Sequence, residues 1–345
     1  MAQGRIRKVA LIGTGIMGAP IGGHILDAGY DLTVHNRTKK KAEGLLARGA
    51  TWADSPAAAS ADADLILTMV SYPDDVEDVY LGTNGVLLAA KEGAWMVDLS
   101  TSSPDLAREL HDAAEAADKH SFDCPVTGGE QGAKDGTLTL IAGVSPSEAE
   151  PVVPVLKTFS KKIEYFGRAG DGQTVKLCNQ VSLASCMVGY ADALALAEQS
   201  GIDRTHLLAV MNAGTGGSNA SRSLGPRSVA GDYKAGFKAD HLRKDLELAL
   251  MLADDLELTL PGAETANILY DTLCQIGGAN LGTQAITLLY EDDATCEAAG
   301  LDLSDLAPRD SENVSDALRT ISGGSLPDED DLPDDDLPDE DELEE

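Results

Sequence analysis

Three glycines, Gly13, Gly15 and Gly18, stand between the apolar run Val9 to Ile12 and a helical pattern carrying Ile21, Ile25 and Leu26. Each glycine has its own physical reason. Gly13 permits a tight turn out of a strand, Gly15 lets backbone approach a pyrophosphate, and Gly18 lets a helix pack closely on the strand. The helix N-terminus then offers free N–H groups and a positive dipole to the anion. A Gly-x-Gly-x-x-Gly run alone can be a purely structural turn. Strand, turn, helix and a second strand (Leu32 to His35) together describe a Rossmann βαβ unit over residues 7–38 that binds a nicotinamide dinucleotide.

The end of that second strand separates the two nicotinamide carriers. A site selective for NAD(H) presents Asp or Glu to the ribose hydroxyls there; this chain reads His35-Asn36-Arg37-Thr38, followed by Lys39, Lys40 and Lys41. Arg37 can lie against the adenine and a 2′-phosphate, while Asn36 and Thr38 can donate hydrogen bonds to it. NADP(H) is the expected preference, with NAD(H) as the alternative; the competing reading is a solvated basic helix start.

Short aliphatic runs continue to alternate with helical patterns: Leu65 to Val70, Trp95 to Leu99 and Ser121 to Cys124. They predict an α/β doubly wound parallel sheet. Thr137 to Ala142 and Ile163 to Phe166 bracket a helix opened by Ser145-Pro146. After the glycines near residue 170 the pattern becomes helical almost without strands, beginning with a long segment from about Gln173 to Gln199. It is broken at Gly214 to Ser223 and resumes over about 239–258, 262–276 and 283–290. The expected organisation is a dinucleotide-binding domain over residues 1–168, an all-α domain over 169–305 joined by the long interdomain helix, and an acidic tail over 306–345.

The chain carries 58 acidic and 26 basic residues, a formal charge of -32. That field repels nucleic acid and anionic membrane surfaces. Residues 323–345 hold 13 acidic and no basic residues, a composition that cannot build a core. The 45 acidic residues left against 26 basic ones suggest a salt-rich cytoplasm. No run approaches ~18 uninterrupted apolar residues and no signal core precedes the first strand, so a cytoplasmic protein is expected. Cys124, Cys178, Cys186, Cys274 and Cys296 lack CxxC spacing, and buried free thiols are expected. The six histidines are scattered without metal-ligand spacing, no metal is expected, and no GxSxG elbow suggests a hydrolase.

Four further blocks resemble the β-hydroxyacid dehydrogenases, the family of 3-hydroxyisobutyrate dehydrogenase, tartronate semialdehyde reductase and the glyoxylate/succinic semialdehyde reductases. They are 98-DLSTSSPD-105, 123-DCPVTGG-129, 170-GDGQTVKLCNQ-180 and 237-FKADHLRKDLELAL-250. The second is similar to the family's DAPVSGG, with Thr127 in place of Ser, and the third to its GxGxxxKxxN. The resemblance implies that Thr101 approaches the nicotinamide half, that Lys244 reaches the cofactor, and that Phe237 lines the pocket. Asp245 would anchor its helix or pair with Lys176. Met69 and Val70, with Thr14, Ile16 and Met17 of the glycine turn, complete the expected cofactor contacts. A dimer or tetramer is also implied, because the all-α domain resembles one that pairs between subunits.

Thr127, Gly128 and Gly129 could hold a substrate carboxylate in a backbone nest, though the same residues also make a plain turn. Reducing an aldehyde by hydride transfer leaves an alkoxide that needs a proton, and oxidation needs the reverse. Lys176 can do both once burial lowers its pKa. Asn179 and Gln180 share its helical face, and either could orient substrate, since Gln180 stands where the family often has a second Asn. The expected activity is NAD(P)-dependent hydride transfer between a small 3-hydroxy acid and its semialdehyde. The alternatives are 3-hydroxyisobutyrate dehydrogenase proper against 2-hydroxy-3-oxopropionate or glyoxylate/succinic semialdehyde reductase, and a non-catalytic dinucleotide-binding module. The 6-phosphogluconate dehydrogenases carry Lys-x-x-His-Asn where this chain has Lys176-Leu-Cys-Asn-Gln, and imine reductases typically replace the lysine.

Overall fold

Along the first strand, Val9 and Leu11 enter one apolar cluster and Ala10 and Ile12 another, so side chains alternate between two buried faces of one sheet. In the computed structural model, which describes residues 6–304, six parallel strands form that sheet: β1 (Lys8–Ile12), β2 (Asp31–His35), β3 (Thr51–Trp52), β4 (Leu65–Thr68), β5 (Trp95–Asp98) and β6 (His120–Asp123). Their order is β3-β2-β1-β4-β5-β6. The order reverses direction beside β1, which opens a crevice at the carboxyl ends of β1 and β4. β4 and β5 are buried at every position, as strands covered on both faces must be.

Two features differ from the sequence expectation. β3 spans only two residues, too few to show any periodicity. The later strands do not extend the parallel sheet: β7 (Val126–Thr127), β8 (Leu138–Ala142) and β9 (Ser160–Tyr165) form a separate three-stranded sheet, with β7 antiparallel to β8. Gly128 (φ 132°) and Gly129 (φ 63°) start the reversal that makes this pairing possible.

The second half is helical. The long helix Asp171–Gln199 buries Met187, Tyr190 and Leu194 against Leu242 and Leu246 of helix Ala239–Asp255 and Tyr270 and Leu273 of helix Pro261–Gln275. By length and a mean hydropathy of 1.3 that helix could cross a membrane, yet this face of it belongs to the helical core. The expected break at Gly214 to Ser223 is shorter. Ser218 and Ser221 form a reciprocal capping box that starts helix Asn219–Val229, which continues through Pro226. Thr283–Tyr290 is a 3₁₀ helix.

Only Cys124 and Cys296 are buried; Cys178 is exposed and Cys186 and Cys274 are half-buried. Cys178 lies on a stretch of the long helix left open, whereas Cys186 packs partly against the helical core. The stretch 306–345 lies outside the described residues.

Candidate functional site

The glycine turn is built as its spacing requires. Gly13 adopts φ 98°, and a Cβ there would fall 2.1 Å from Met69 O; a Cβ on Gly18 would fall 1.9 Å from Gly13 O. Both glycines are therefore demanded by the protein's own packing. Gly15 differs, because a Cβ there would meet no protein atom within 4 Å. The position faces open space before helix Gly18–Asp27, whose first turn has neither a side-chain cap nor an acidic residue. Such a cradle fits a pyrophosphate. Ile16 is exposed beside it, and Met17 and Val70 are half-buried.

Asn36 is tied into the turn itself. Its Oδ1 accepts from Thr14 N–H (3.0 Å) and its Nδ2 donates to Thr38 O (3.0 Å), so the amide joins the glycine turn to the following loop. Arg37 has its side chain 91% exposed and makes a loose ion pair with Asp75, 3.7 Å away. Lys39 lies over the Trp52 ring at 5.1 Å.

The loop after β5 brings Thr101 to the crevice. Ser100 Oγ accepts from Val70 N–H at 3.0 Å, and Asp98 Oδ1 accepts from Ser100 N–H at 3.0 Å. Ser103 caps the helix Pro104–Ala116, its hydroxyl accepting from Leu106 N–H. Burial pushes the Asp98 carboxyl up to about 7, with Asp123 adding to the rise and Ser100 and Lys244 opposing it. A cavity of about 10 Å³ lies beneath, lined by Asp98, Asp123, Ser102 and Ser121 among others.

Asp123 explains how the long helix starts. Its Oδ1 accepts from Gly170 N–H (2.8 Å) and its Oδ2 from Gln173 N–H (2.7 Å), capping two of the donors a helix start leaves unpaired. The approach needs Gly172, where a Cβ would lie 2.7 Å from Asp123 Oδ2 and 2.6 Å from Ile141 O.

One turn further on, Lys176 is only 8% exposed. Its Nζ donates to Gln180 Oε1 at 3.0 Å; Gln180 Nε2 donates to Asp245 Oδ2 at 2.6 Å; and Asp245 Oδ1 lies 2.8 Å from Lys244 Nζ. Lys244 Nζ also donates to Thr101 O at 2.6 Å. Of the two roles expected for Asp245, pairing with Lys176 is thus replaced by a chain, because the neutral Gln180 amide stands between them. Burial lowers the Lys176 ammonium to about 8, with Asp245 opposing and Lys244 reinforcing the shift.

The two candidate amides take different places. Gln180 is buried, whereas Asn179 is exposed and its Nδ2 donates to Gln180 Oε1 at 2.9 Å. Thr127 is half-buried, and Gly128 and Gly129 are exposed at the start of helix Gly129–Lys134. Phe237 packs half-buried beside His241, with ring centroids 6.2 Å apart. His241 in turn meets Tyr72 edge-on, and Tyr72 hydroxyl donates to Asp240. Residues that the sequence reading left out of the site are therefore Asp98, Asp123, Gln173, Tyr72 and His241. Asp98 and Asp123 carried one usable signal, a carboxylate at the carboxyl end of an apolar strand.

Both halves of the chain match known families. Residues 8–167 match the model of the NAD binding domain of 6-phosphogluconate dehydrogenase, and residues 170–290 that of the NAD-binding domain of NADP-dependent 3-hydroxyisobutyrate dehydrogenase. The chain is 40% identical to an uncharacterized oxidoreductase of Bacillus subtilis, over 82% of this chain and 99% of that one. It is 33% identical to an NAD-dependent L-serine dehydrogenase of Pseudomonas aeruginosa, over 83% and 98% respectively. Among solved structures it is similar to a 3-hydroxyisobutyrate dehydrogenase of Mycobacterium tuberculosis with L-serine: TM-score 0.75, 31% identity, 82% and 98% coverage.

Proposed function

The chain belongs to the β-hydroxyacid dehydrogenase family of NAD(P)-dependent oxidoreductases, and on that premise we propose that it reduces a small carboxylate-bearing semialdehyde to its 3-hydroxy acid. Lys176 is the proton donor in this reading and NADP(H) the preferred carrier. The observation that carries it is the buried Lys176 ammonium, held by Gln180 and connected through Asp245 and Lys244 to the carbonyl of Thr101.

When bound, the nicotinamide supplies the hydride, or accepts it in the oxidation. Lys176 gives its proton to the oxygen on which negative charge develops, and in the reverse direction the neutral amine accepts it. Thr127, Gly128 and Gly129 bind the substrate carboxylate through N–H groups and a hydroxyl. Exposed Asn179 orients the substrate, while buried Gln180 orients Lys176. Phe237 closes the apolar side of the pocket.

A panel of glyoxylate, succinic semialdehyde, tartronate semialdehyde and methylmalonate semialdehyde, with NADPH consumption followed by absorbance, tests the substrate class. Turnover with tartronate or methylmalonate semialdehyde, whose products are 3-hydroxy acids, is the expected result; turnover with glyoxylate or succinic semialdehyde alone would move the hydroxyl to another carbon. A second reading, oxidation of L-serine, is favoured by the serine dehydrogenase relative and the L-serine in the similar structure. Turnover of L-serine with NAD⁺ and of no aldehyde would replace the proposal.

The NADP(H) preference rests on Arg37, exposed at the end of β2, where no carboxylate follows. A charge-assisted contact of this kind contributes about 1.5–3 kcal/mol. Arg37→Ala should therefore raise the NADPH dissociation constant roughly tenfold or more and leave that of NADH nearly unchanged. An unaltered ratio of the two would remove Arg37 from the phosphate site.

A further inference from the structure

Gln173 is wholly buried, and both ends of its amide grip one loop. Its Nε2 donates to Ser100 O at 2.9 Å, and its Oε1 accepts from Ser102 N–H at 3.0 Å. These are the two peptide groups on either side of Thr101. Rotating the amide would break both bonds, so its orientation is fixed. Its backbone is fixed as well, since Gln173 N–H donates to Asp123 Oδ2. Lys176 follows one helical turn later on the same helix.

We infer that Gln173 is a positioning residue that holds the Thr101 loop, and with it the nicotinamide end of the cofactor, in register with Lys176. The inference rests on the reading of Thr101 and Lys176 given above. Hydride and proton must reach the two ends of one carbonyl group. The loop comes from the sheet and the ammonium from the long helix. Gln173 joins them through a single side chain, and a misplacement of ~1 Å between reacting groups can cost about 10²-fold in rate.

The surrounding charges explain why an amide suits the position. Asp98 Oδ1 bonds to Ser100 N–H, Asp123 bonds to the backbone of Gln173, and Lys244 bonds to Thr101 O. A glutamate at 173 would add a third buried carboxylate. Ionised, it could not donate to Ser100 O; protonated, it would reproduce both the donor and the acceptor of the amide.

The test compares Gln173→Met and Gln173→Glu with the parent protein. The readouts are dissociation constants for NADPH and for its adenosine half, 2′,5′-ADP, beside kcat. In Gln173→Met the NADPH constant should rise roughly tenfold with that of 2′,5′-ADP unchanged, and kcat should fall by about 10–100-fold. Gln173→Glu should resemble the parent at acid pH and Gln173→Met as pH rises, because only the protonated acid restores both bonds.

Parent-like affinity ratio and kcat in Gln173→Met would overturn the inference. If Gln173→Met unfolds, Gln173→Glu decides: a parent-like NADPH to 2′,5′-ADP ratio at a pH where its carboxyl is ionised would overturn it equally. The binding ratio depends on neither the substrate nor the proton donor, so it distinguishes failure here from failure of the proposed reaction.

Discussion

Lys176→Ala should bind NADPH as the parent does and turn over about 10²–10⁴-fold more slowly, the usual contribution of a positioned acid or base. The side chain lies away from the glycine cradle and from Arg37, so the adenosine half loses nothing. The developing alkoxide loses its proton source. Lys176→Arg is the informative companion, because a guanidinium keeps the charge but does not release its proton near neutrality. It should be as slow as alanine. Stopped-flow binding and steady-state kcat on the same preparations separate the two effects, and near-parental kcat in Lys176→Ala would remove the lysine from the chemistry.

Gly13→Ala and Gly15→Ala separate folding from binding. The alanine methyl at 13 meets Met69 O at 2.1 Å in a backbone with φ 98°, a conformation that costs a non-glycine residue about 1–3 kcal/mol before the clash is counted. Thermal stability and dinucleotide affinity should both fall. The methyl at 15 meets nothing within 4 Å, so Gly15→Ala should melt with the parent and bind the dinucleotide at least about tenfold more weakly, because the methyl occupies pyrophosphate space. Unchanged affinity in Gly15→Ala would mean that the phosphates do not lie there.

The parts of this site that depend on spacing along the chain were legible in the sequence. The glycine turn, its strand and its helix follow from residues within one βαβ unit, and Lys176 with Gln180 follows from one helical turn. The family resemblance supplied the order of Thr101, the Thr127 loop and Lys244.

Other parts depended on how distant elements pack. Gln173 finds its partners 71 and 73 residues away, and Asp123 caps a helix 47 residues later, so no local pattern carries either. Of the two roles expected for Asp245, anchoring its helix or pairing with Lys176, the second is not direct, because the two helices bring Gln180 between the charges. Asn36 read as a phosphate donor from its place at the end of the second strand; its bonds to Thr14 and Thr38, which join the turn to the following loop, had no signal there. The antiparallel β7 was missed because two residues show no alternation.

In the proposed reaction a buried lysine, lowered to about 8, moves the proton in both directions. The most direct measurement is kcat/KM against pH for aldehyde reduction and for hydroxy-acid oxidation. Reduction needs the ammonium, so its rate should hold below about pH 8 and fall above it; oxidation needs the free amine and should rise through the same pH. Both inflections should vanish from the residual activity of Lys176→Ala. Profiles that move in the same direction, or an inflection that survives the substitution, would contradict the assignment.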